Sequence, residues 1–190
     1  MLVILKRAES YEHNIKAVTT DLLTNLDNRN SYEIRIKSFD EKTPSVYGIF
    51  DLFRLKNVND NYGHNVGDIY IKEVAKILKK YWPKAKYDFI DGEKKEFSTG
   101  HCVYRIGGDE FVLLTTEETL DLTTIKAGLA AEEVAMIDLG IDEKPLLGLN
   151  YGIIEYTPDL SIKTAYEDAD KIMSEDKRKM YTKYGLERRK

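Results

Sequence analysis

The stretch "VYRIGGDEFVLL" (residues 103–114) places two adjacent glycines and two adjacent carboxylates between two runs of β-forming residues. Such a pattern predicts two strands joined by a tight hairpin turn. Two interpretations of the turn remain open. Either Gly107 and Gly108 serve the turn geometry and Asp109 and Glu110 are solvated, or the backbone approaches a phosphate there while a carboxylate holds a metal ion. On the second interpretation, the glycines would allow positive φ angles and leave no side chain between the backbone and the ligand.

The segments on either side of this hairpin decide the fold class. "SVYGIFDLF" (45–53) predicts a central strand, "NDNYGHNVGD" (59–68) a loop, and the apolar spacing from Ile71 to Leu78 an amphipathic helix. Further helices are predicted over residues 28–39, 117–138 (from Ile125, Leu129 and Val134) and 162–180, and a further strand over 146–156. This order predicts an α/β (α+β) fold, a palm or ferredoxin-like, mostly antiparallel sheet flanked by helices.

Residues 84–101 interrupt that order. They carry Asp91-Gly92 between two short segments that could form strands, a strong signal for a hairpin. We therefore expect a β-hairpin inserted between a helix and the next strand of the sheet.

Composition limits the classes of protein that fit. The 190 residues carry a net charge of −4, from 29 basic and 33 acidic side chains, which gives no general attraction to nucleic acid or to acidic lipid. Cys102 is the single cysteine, so neither a disulfide framework nor a cysteine metal site is expected. No apolar run approaches the length of a membrane span. We expect a soluble cytoplasmic protein.

Two aspartates suggest a metal site. Asp51 lies inside an apolar strand, where a buried carboxylate needs a cation or hydrogen-bond donors. Asp109 lies at the hairpin turn, and the two carboxylates would converge if the strands are neighbours. With the Leu52 carbonyl and phosphate oxygens they would form the hard oxygen site that Mg²⁺ prefers, or Mn²⁺ in its place. Such a site is typical of nucleotidyl transfer.

Four motifs in order across residues 21–177 resemble one family. "RIGGDEF" (105–111) resembles the signature of the GGDEF family of diguanylate cyclases, and "FDLFRLKNVNDNYGHNVGD" (50–68) resembles D-x-D-x-F-K-x-I-N-D-x-x-G-H-x-x-G-D. "DLLTNLDNR" (21–29) resembles D-x-L-T-G-L-x-N-R with Asn25 in place of glycine, and "YEDADKIMSEDK" (166–177) resembles the closing helix. The resemblance implies a GGDEF domain over residues 21–190, with residues 1–20 forming a connector helix that an upstream sensor domain could precede.

The resemblance also implies a function. Members of the family condense two GTP molecules to cyclic di-GMP with release of pyrophosphate, using two Mg²⁺ ions per active site at the interface of a homodimer. By similarity, the metal ligands are Asp51, Asp109 and the Leu52 carbonyl, and Glu110 contacts the ribose and assists deprotonation of the attacking 3′-hydroxyl. Asn59 and Asp68 match the positions that read guanine, and Lys56 and Lys177 match the lysines that contact the triphosphate. Gly107 and Gly108 match the glycines of the substrate-binding turn.

Three departures from the family pattern leave alternatives open. Phe53 stands where the motif has a second aspartate, and Tyr181 stands where the family often has an arginine. Ser98 and His101 replace the R-x-x-D of the product-binding site, so inhibition by product through that site is not expected. The leading hypothesis is an active diguanylate cyclase. The alternatives are a GTP-binding regulatory module without turnover and, less favoured because of Asp68, a palm-type nucleotidyltransferase with another product.

Overall fold

A mixed five-stranded sheet forms the centre of the protein in the computed structural model, which describes residues 18–37, 45–90, 93–98 and 100–186. The elements in chain order are β1 (Asp27–Asn28), α1 (Arg29–Lys37), β2 (Val46–Leu52), α2 (Leu55–Tyr62), α3 (His64–Tyr81), β3 (Ala85–Ile90), β4 (Glu93–Ser98), β5 (His101–Arg105), β6 (Glu110–Thr115), α4 (Leu120–Ala135), β7 (Leu149–Glu155) and α5 (Ile162–Lys183). The predicted connector helix lies outside the described residues except for its last three.

The strands of the sheet follow the order β1-β5-β6-β2-β7. The short β1 runs parallel to β5, and every other neighbouring pair is antiparallel. This arrangement confirms the predicted α/β fold with a mostly antiparallel sheet. The predicted insertion is also observed, because β3 and β4 pair antiparallel in a separate two-stranded sheet. The turn residues 91 and 92 lie outside the described residues.

Helices cover both faces of the sheet. Tyr47, Ile49 and Val112 belong to an apolar cluster with Ala169 and Met173 of α5. The alternate residues of the same strands pack on the other face with α3 and α4, in a cluster that includes Phe50, Leu52, Phe111, Leu113, Val74, Leu78, Ala127 and Ala130. Because β2 is buried on both faces, its sequence shows a continuous apolar run in place of an alternation. Asp51 interrupts that run on the α5 face.

The prediction of a loop at residues 59–68 is wrong. The segment contains the end of α2, Gly63 and the first turn of α3. Gly63 has φ = 85°, a left-handed conformation that glycine adopts without strain, and it separates two helices in place of a loop. Leu55 and Val58 are buried and anchor α2 against the core, which outweighs the turn propensity of the asparagines.

No helix within the described ranges has both the length and the apolar character needed to cross a membrane.

Candidate active site

Glu110, Asp51 and Asn150 form a row across three adjacent strands. The antiparallel register places Asp51 of β2 directly opposite Glu110 of β6 on one side and Asn150 of β7 on the other. Directly opposed residues present their side chains on the same face of a sheet. The sequence-based expectation that the strand of Asp51 neighbours the acidic hairpin is therefore correct.

Asp51 is held by an ion pair with α5. Its side chain is buried, and its Oδ1 accepts a hydrogen bond from Lys177 Nζ at 2.6 Å. Burial raises the pKa of Asp51 above its ordinary value; Lys177 opposes this rise, and the nearby Asp109 adds to it. The Lys177 ammonium group therefore balances the buried negative charge of Asp51.

Asp109 and Glu110 complete the acidic cluster from the hairpin. The Asp109 carbonyl accepts a hydrogen bond from the Leu52 amide at 3.1 Å, which holds the turn against the end of β2. Burial raises the pKa of Glu110, and the charges of Asp109 and Asp51 raise it further. The negative charges of Asp109 and Asp51 thus both act on Glu110 at this end of the sheet.

The two glycines of the turn act differently from each other. Neither has a positive φ, so that part of the expectation is wrong; the positive-φ glycines of the described residues lie elsewhere, at 63, 100, 140 and 185. A Cβ on Gly107 would lie 2.8 Å from Glu110 Oε2, whereas a Cβ on Gly108 would meet no atom within 4 Å. Gly107 makes room for the Glu110 carboxylate, and Gly108 leaves open space beside it.

Two arginines brace this turn, and their role was not predicted from the sequence. Arg105 donates to both carboxylate oxygens of Asp21 at 3.1 Å and to the Gly108 carbonyl at 2.8 Å. Arg29 donates to the Ile106 carbonyl at 2.7 Å. Asp21 and Arg29 are the two ends of the "DLLTNLDNR" motif, so that motif positions the acidic hairpin from a distance of about 80 residues along the chain. The charged residues at the two ends of the motif, Asp21 and Arg29, were the sequence feature that could have indicated this role.

Asn25 of that motif explains one departure from the family pattern. Its φ is 54°, and Lys79 donates to its carbonyl at 2.8 Å. Asparagine is among the residues that best tolerate this left-handed conformation. The substitution of asparagine for glycine therefore preserves the backbone turn.

Asn59 and Asp68 lie around Gly67 at the start of α3. A Cβ on Gly67 would overlap Asn59 Oδ1, and this oxygen is buried with no hydrogen-bond partner in the described part of the chain. Asp68 follows Gly67 directly and is half-buried. An amide oxygen that lies at Gly67 without a partner among the described residues is suited to a ligand that carries hydrogen-bond donors.

Lys56 and the start of α2 follow shortly after Asp51, the predicted metal ligand, in the chain. Lys56 is exposed in the first turn of α2, and the helix N-terminus has no side-chain cap. Uncapped N–H groups at a helix start attract anions such as phosphate. Of the predicted site residues, the structure thus brings Asp51, Leu52, Asp109, Glu110 and Lys177 together, with Lys56 following Asp51 on the next element.

The donor set fits a hard divalent cation. It offers carboxylate oxygens from Asp51 and Asp109, and the Leu52 carbonyl follows Asp51 directly in the chain, with its own amide bonded to the Asp109 carbonyl. Within the described ranges, no group of three or more His, Cys, Asp or Glu side chains forms a complete metal cage. Mg²⁺ ordinarily takes one or two protein carboxylates and completes its shell with water and substrate phosphates, so an incomplete protein cage is what it requires.

Comparison with known proteins identifies the family. The sequence model described as "Diguanylate cyclase, GGDEF domain" matches residues 18–90 and 94–183. The chain belongs to the GGDEF-domain family. Diguanylate cyclase A of Treponema denticola is 29% identical over an alignment of 181 residues that covers 86% of this chain and 43% of that protein. The probable diguanylate cyclase DgcI of Escherichia coli is 35% identical over 120 residues, 63% of this chain and 24% of that protein. This GGDEF domain thus spans less than half the length of these relatives.

Solved structures agree with the fold. The coiled coil and GGDEF domain of DgcB from Caulobacter crescentus, in complex with c-di-GMP, superimposes with a TM-score of 0.76 at 21% identity, covering 94% of this chain and 90% of that one. The FimX GGDEF domain from Pseudomonas aeruginosa gives a TM-score of 0.68 at 13% identity, covering 85% and 94%. The sheet order and flanking helices are therefore those of GGDEF domains.

Proposed function

We propose that this GGDEF domain is a diguanylate cyclase that condenses two GTP molecules to cyclic di-GMP. The observation that carries the proposal is the register between Asp51 and Glu110, with Asp109 beside them. It concentrates three carboxylates at the end of β2, directly before the uncapped start of α2. Carboxylates for a cation and N–H groups for phosphates are the two requirements of a nucleotidyl-transfer site. The diguanylate cyclases among the relatives support the same reaction.

Asp51, Asp109 and the Leu52 carbonyl are the residues that would hold Mg²⁺, or Mn²⁺ in its place, two ions per active site. The ions would supply electrostatic stabilisation of the charge that develops on the α-phosphate and on the leaving pyrophosphate. Lys177 would also stabilise negative charge on the phosphates, since its ammonium group already lies beside Asp51.

Glu110 is the proposed proton acceptor. In each of the two bond-forming steps, a 3′-hydroxyl oxygen attacks an α-phosphorus, the hydroxyl proton leaves, and the bond to pyrophosphate breaks. Glu110 has a raised pKa because of burial and the neighbouring carboxylates, which makes it a stronger base than an ordinary glutamate. Gly107 gives this side chain the space that it occupies.

Asn59 and Asp68 are proposed to read the guanine base. A carboxylate can accept from guanine N1–H and N2–H₂, a donor pair that adenine does not present. The unpaired Asn59 Oδ1 offers a further acceptor. Lys56 and the α2 N-terminus would contact the triphosphate, and Gly108 leaves open space beside the acidic cluster. Each subunit of a homodimer would hold one GTP, because a cyclic product with two phosphodiester bonds requires two such sites facing each other.

One observation favours a second candidate, a GTP-binding regulatory module without turnover. Phe53 is fully buried and packs against Tyr181, so two positions that carry charges in the family motif are aromatic here. Loss of the arginine at 181 removes a bidentate phosphate donor. Both candidates bind GTP, and only the first releases pyrophosphate.

Incubation of the purified protein at high concentration with GTP and Mg²⁺, followed by mass analysis of the nucleotides, separates the two. We expect cyclic di-GMP from the unaltered chain and none from Asp109→Ala. Bound but unchanged GTP would overturn the cyclase proposal and support the regulatory module. Turnover that survived in Asp109→Ala would contradict the site assignment.

A further inference from the structure

Asn150 is a buried amide whose side chain makes no hydrogen bond of ordinary geometry with any described residue. Its side chain is fully buried on β7, and neither Oδ1 nor Nδ2 makes a hydrogen bond in the part of the chain that the structure describes. A buried polar group left in this state destabilises the fold, so such groups are rare unless something else supplies the missing partner. The other fully buried polar side chains behave as expected: Thr115 and Thr123 both make hydrogen bonds.

The position of Asn150 indicates where the missing partner would lie. Asn150 is directly opposite Asp51 in the β2–β7 register, on the face that α5 covers. The Asn150 amide acts on Asp51 as a weak side-chain hydrogen-bond donor that lowers the pKa of that carboxyl, but the contact does not reach the geometry of an ordinary hydrogen bond. Lys177 occupies Oδ1 of the same carboxylate. The orphaned amide therefore lies beside the proposed metal-holding carboxylate.

We propose that Asn150 is a positioning residue for the Asp51 carboxylate, and that its amide forms its hydrogen bonds when a divalent cation is bound. Nδ2 would then donate to Asp51, and Oδ1 would accept from a water molecule that the cation carries. A neutral amide suits this place, because a further carboxylate would add repulsion to Asp51, Asp109 and Glu110. The inference rests on the proposed function only in its use of a cation site at Asp51.

The test uses Asn150→Leu, which has nearly the same shape and no polar atoms. We expect the metal-free variant to be at least as stable as the unaltered protein in urea denaturation, because an unsatisfied buried amide has been removed. Its affinity for Mn²⁺ without nucleotide, measured by electron paramagnetic resonance, should weaken by about tenfold or more, the usual effect of losing a partner of a metal ligand. Asn150→Ser places a hydroxyl group where the amide was, and it should keep part of the Mn²⁺ affinity that Asn150→Leu loses.

Thr123→Val is the matched control. Thr123 is buried and polar like Asn150, but it donates to Glu118 at 3.2 Å. Its replacement should therefore destabilise the fold and leave Mn²⁺ affinity unchanged, the reverse of the Asn150→Leu pattern.

Three outcomes would overturn the inference: unchanged Mn²⁺ affinity in both Asn150 variants, clear destabilisation of metal-free Asn150→Leu, or no Mn²⁺ binding by the unaltered protein. Failure of the cyclase proposal is distinguishable from these. A protein that binds Mn²⁺ and GTP but makes no cyclic di-GMP would refute turnover, while the comparison of Mn²⁺ affinities would still decide the role of Asn150.

Discussion

The rings of Phe53 and Tyr181 meet edge to face, with centroids 5.1 Å apart and planes inclined at 71°. Phe53 follows β2 directly, and Tyr181 lies near the end of α5, four residues beyond Lys177. These are the two positions at which the sequence departs from the aspartate and arginine of the family motif. Since the two rings are in contact, we expect the two departures to be energetically coupled. An aromatic contact takes the place of two charged groups and links the end of α5 to the end of β2.

The coupling of this pair can be measured with a double-mutant cycle. Phe53→Asp alone should destabilise the fold by at least about 3 kcal/mol, because it buries an unpaired charge. Adding Tyr181→Arg should recover about 1–2 kcal/mol by supplying a bidentate partner. Urea denaturation of the single and double variants gives the coupling free energy.

Tyr184→Arg, at an exposed position on the same end of α5, is the control for this cycle, since it adds the same charge away from Phe53. If the effects at 53 and 181 were additive within about 0.5 kcal/mol, the two departures would be independent and the coupling would be refuted.

The ion pair between Lys177 and Asp51 predicts competition with metal ions. Lys177 Nζ lies 2.6 Å from the carboxylate that is proposed to hold Mg²⁺, so a cation must displace it. Replacing Lys177 with methionine should therefore tighten Mn²⁺ binding in the absence of nucleotide by about tenfold, equivalent to about 1.4 kcal/mol. Titration followed by electron paramagnetic resonance would show the change.

Lys179→Met removes the same charge from an exposed position two residues along α5 and should alter Mn²⁺ affinity by less than about twofold, because exposed charges are screened. Equal effects of the two substitutions would mean that general charge, and not occupation of Asp51 by Lys177, sets the affinity.

Gly67 should be required for GTP binding and not for folding. A Cβ at this position would overlap Asn59 Oδ1 and displace the side chain that is proposed to contact guanine. We expect Gly67→Ala to lower GTP affinity by about tenfold, the value of one hydrogen bond to a polar ligand. Isothermal titration calorimetry with GTP would measure it.

Gly128→Ala is the matched control, since Gly128 lies in α4 and a Cβ there meets only the Tyr151 hydroxyl, at 3.5 Å. It should stabilise the fold by up to about 1 kcal/mol through helix propensity and leave GTP affinity unchanged. Full GTP affinity in Gly67→Ala would refute the guanine-reading role of Asn59.

Glu118 should make stability depend on pH. It is buried, accepts a hydrogen bond from Trp82 Nε1 at 3.0 Å and pairs with Lys126. Burial alone would raise the pKa of Glu118, but the hydrogen bonds from Lys126 and Trp82 and the neighbouring His101 outweigh it and lower the pKa below the ordinary value of 4.5. A carboxyl whose pKa is lowered by folding stabilises the protein above its unfolded pKa, and this contribution is lost as the pH falls through the folded value.

Glu118→Gln should therefore cost about 2 kcal/mol at pH 7, and the gap to the unaltered protein should narrow below pH ~4.5. Denaturation in urea at several pH values gives the curve. Glu117→Gln, at the exposed neighbouring position, should show little loss at any pH. A gap for Glu118→Gln that stayed constant down to pH 3 would contradict the assignment.

Local pattern was sufficient for most elements of the fold but not for their packing. Strand and helix signals predicted β2, β5, β6, β7, α1, α3, α4 and α5, because apolar periodicity reflects which residues are buried, but they did not predict β1 or α2. The spacing of Ile125 and Leu129 predicted α4, yet both side chains are largely exposed, and the buried face consists of smaller residues such as Ala127 and Ala130. Small residues allow a helix to approach a sheet closely, a preference that hydrophobic periodicity alone does not show.

The family, the acidic turn and the residues to examine could be read from the order of neighbouring side chains alone. The pairing of distant residues required the folded chain: Asp51 with Lys177, Arg105 with Asp21, Phe53 with Tyr181 and Asp51 with Asn150. These contacts depend on strand register and helix placement. Register is set by the hydrophobic pattern together with turn geometry, and β2, which is buried on both faces, has no alternation of apolar and polar residues that would select its partners.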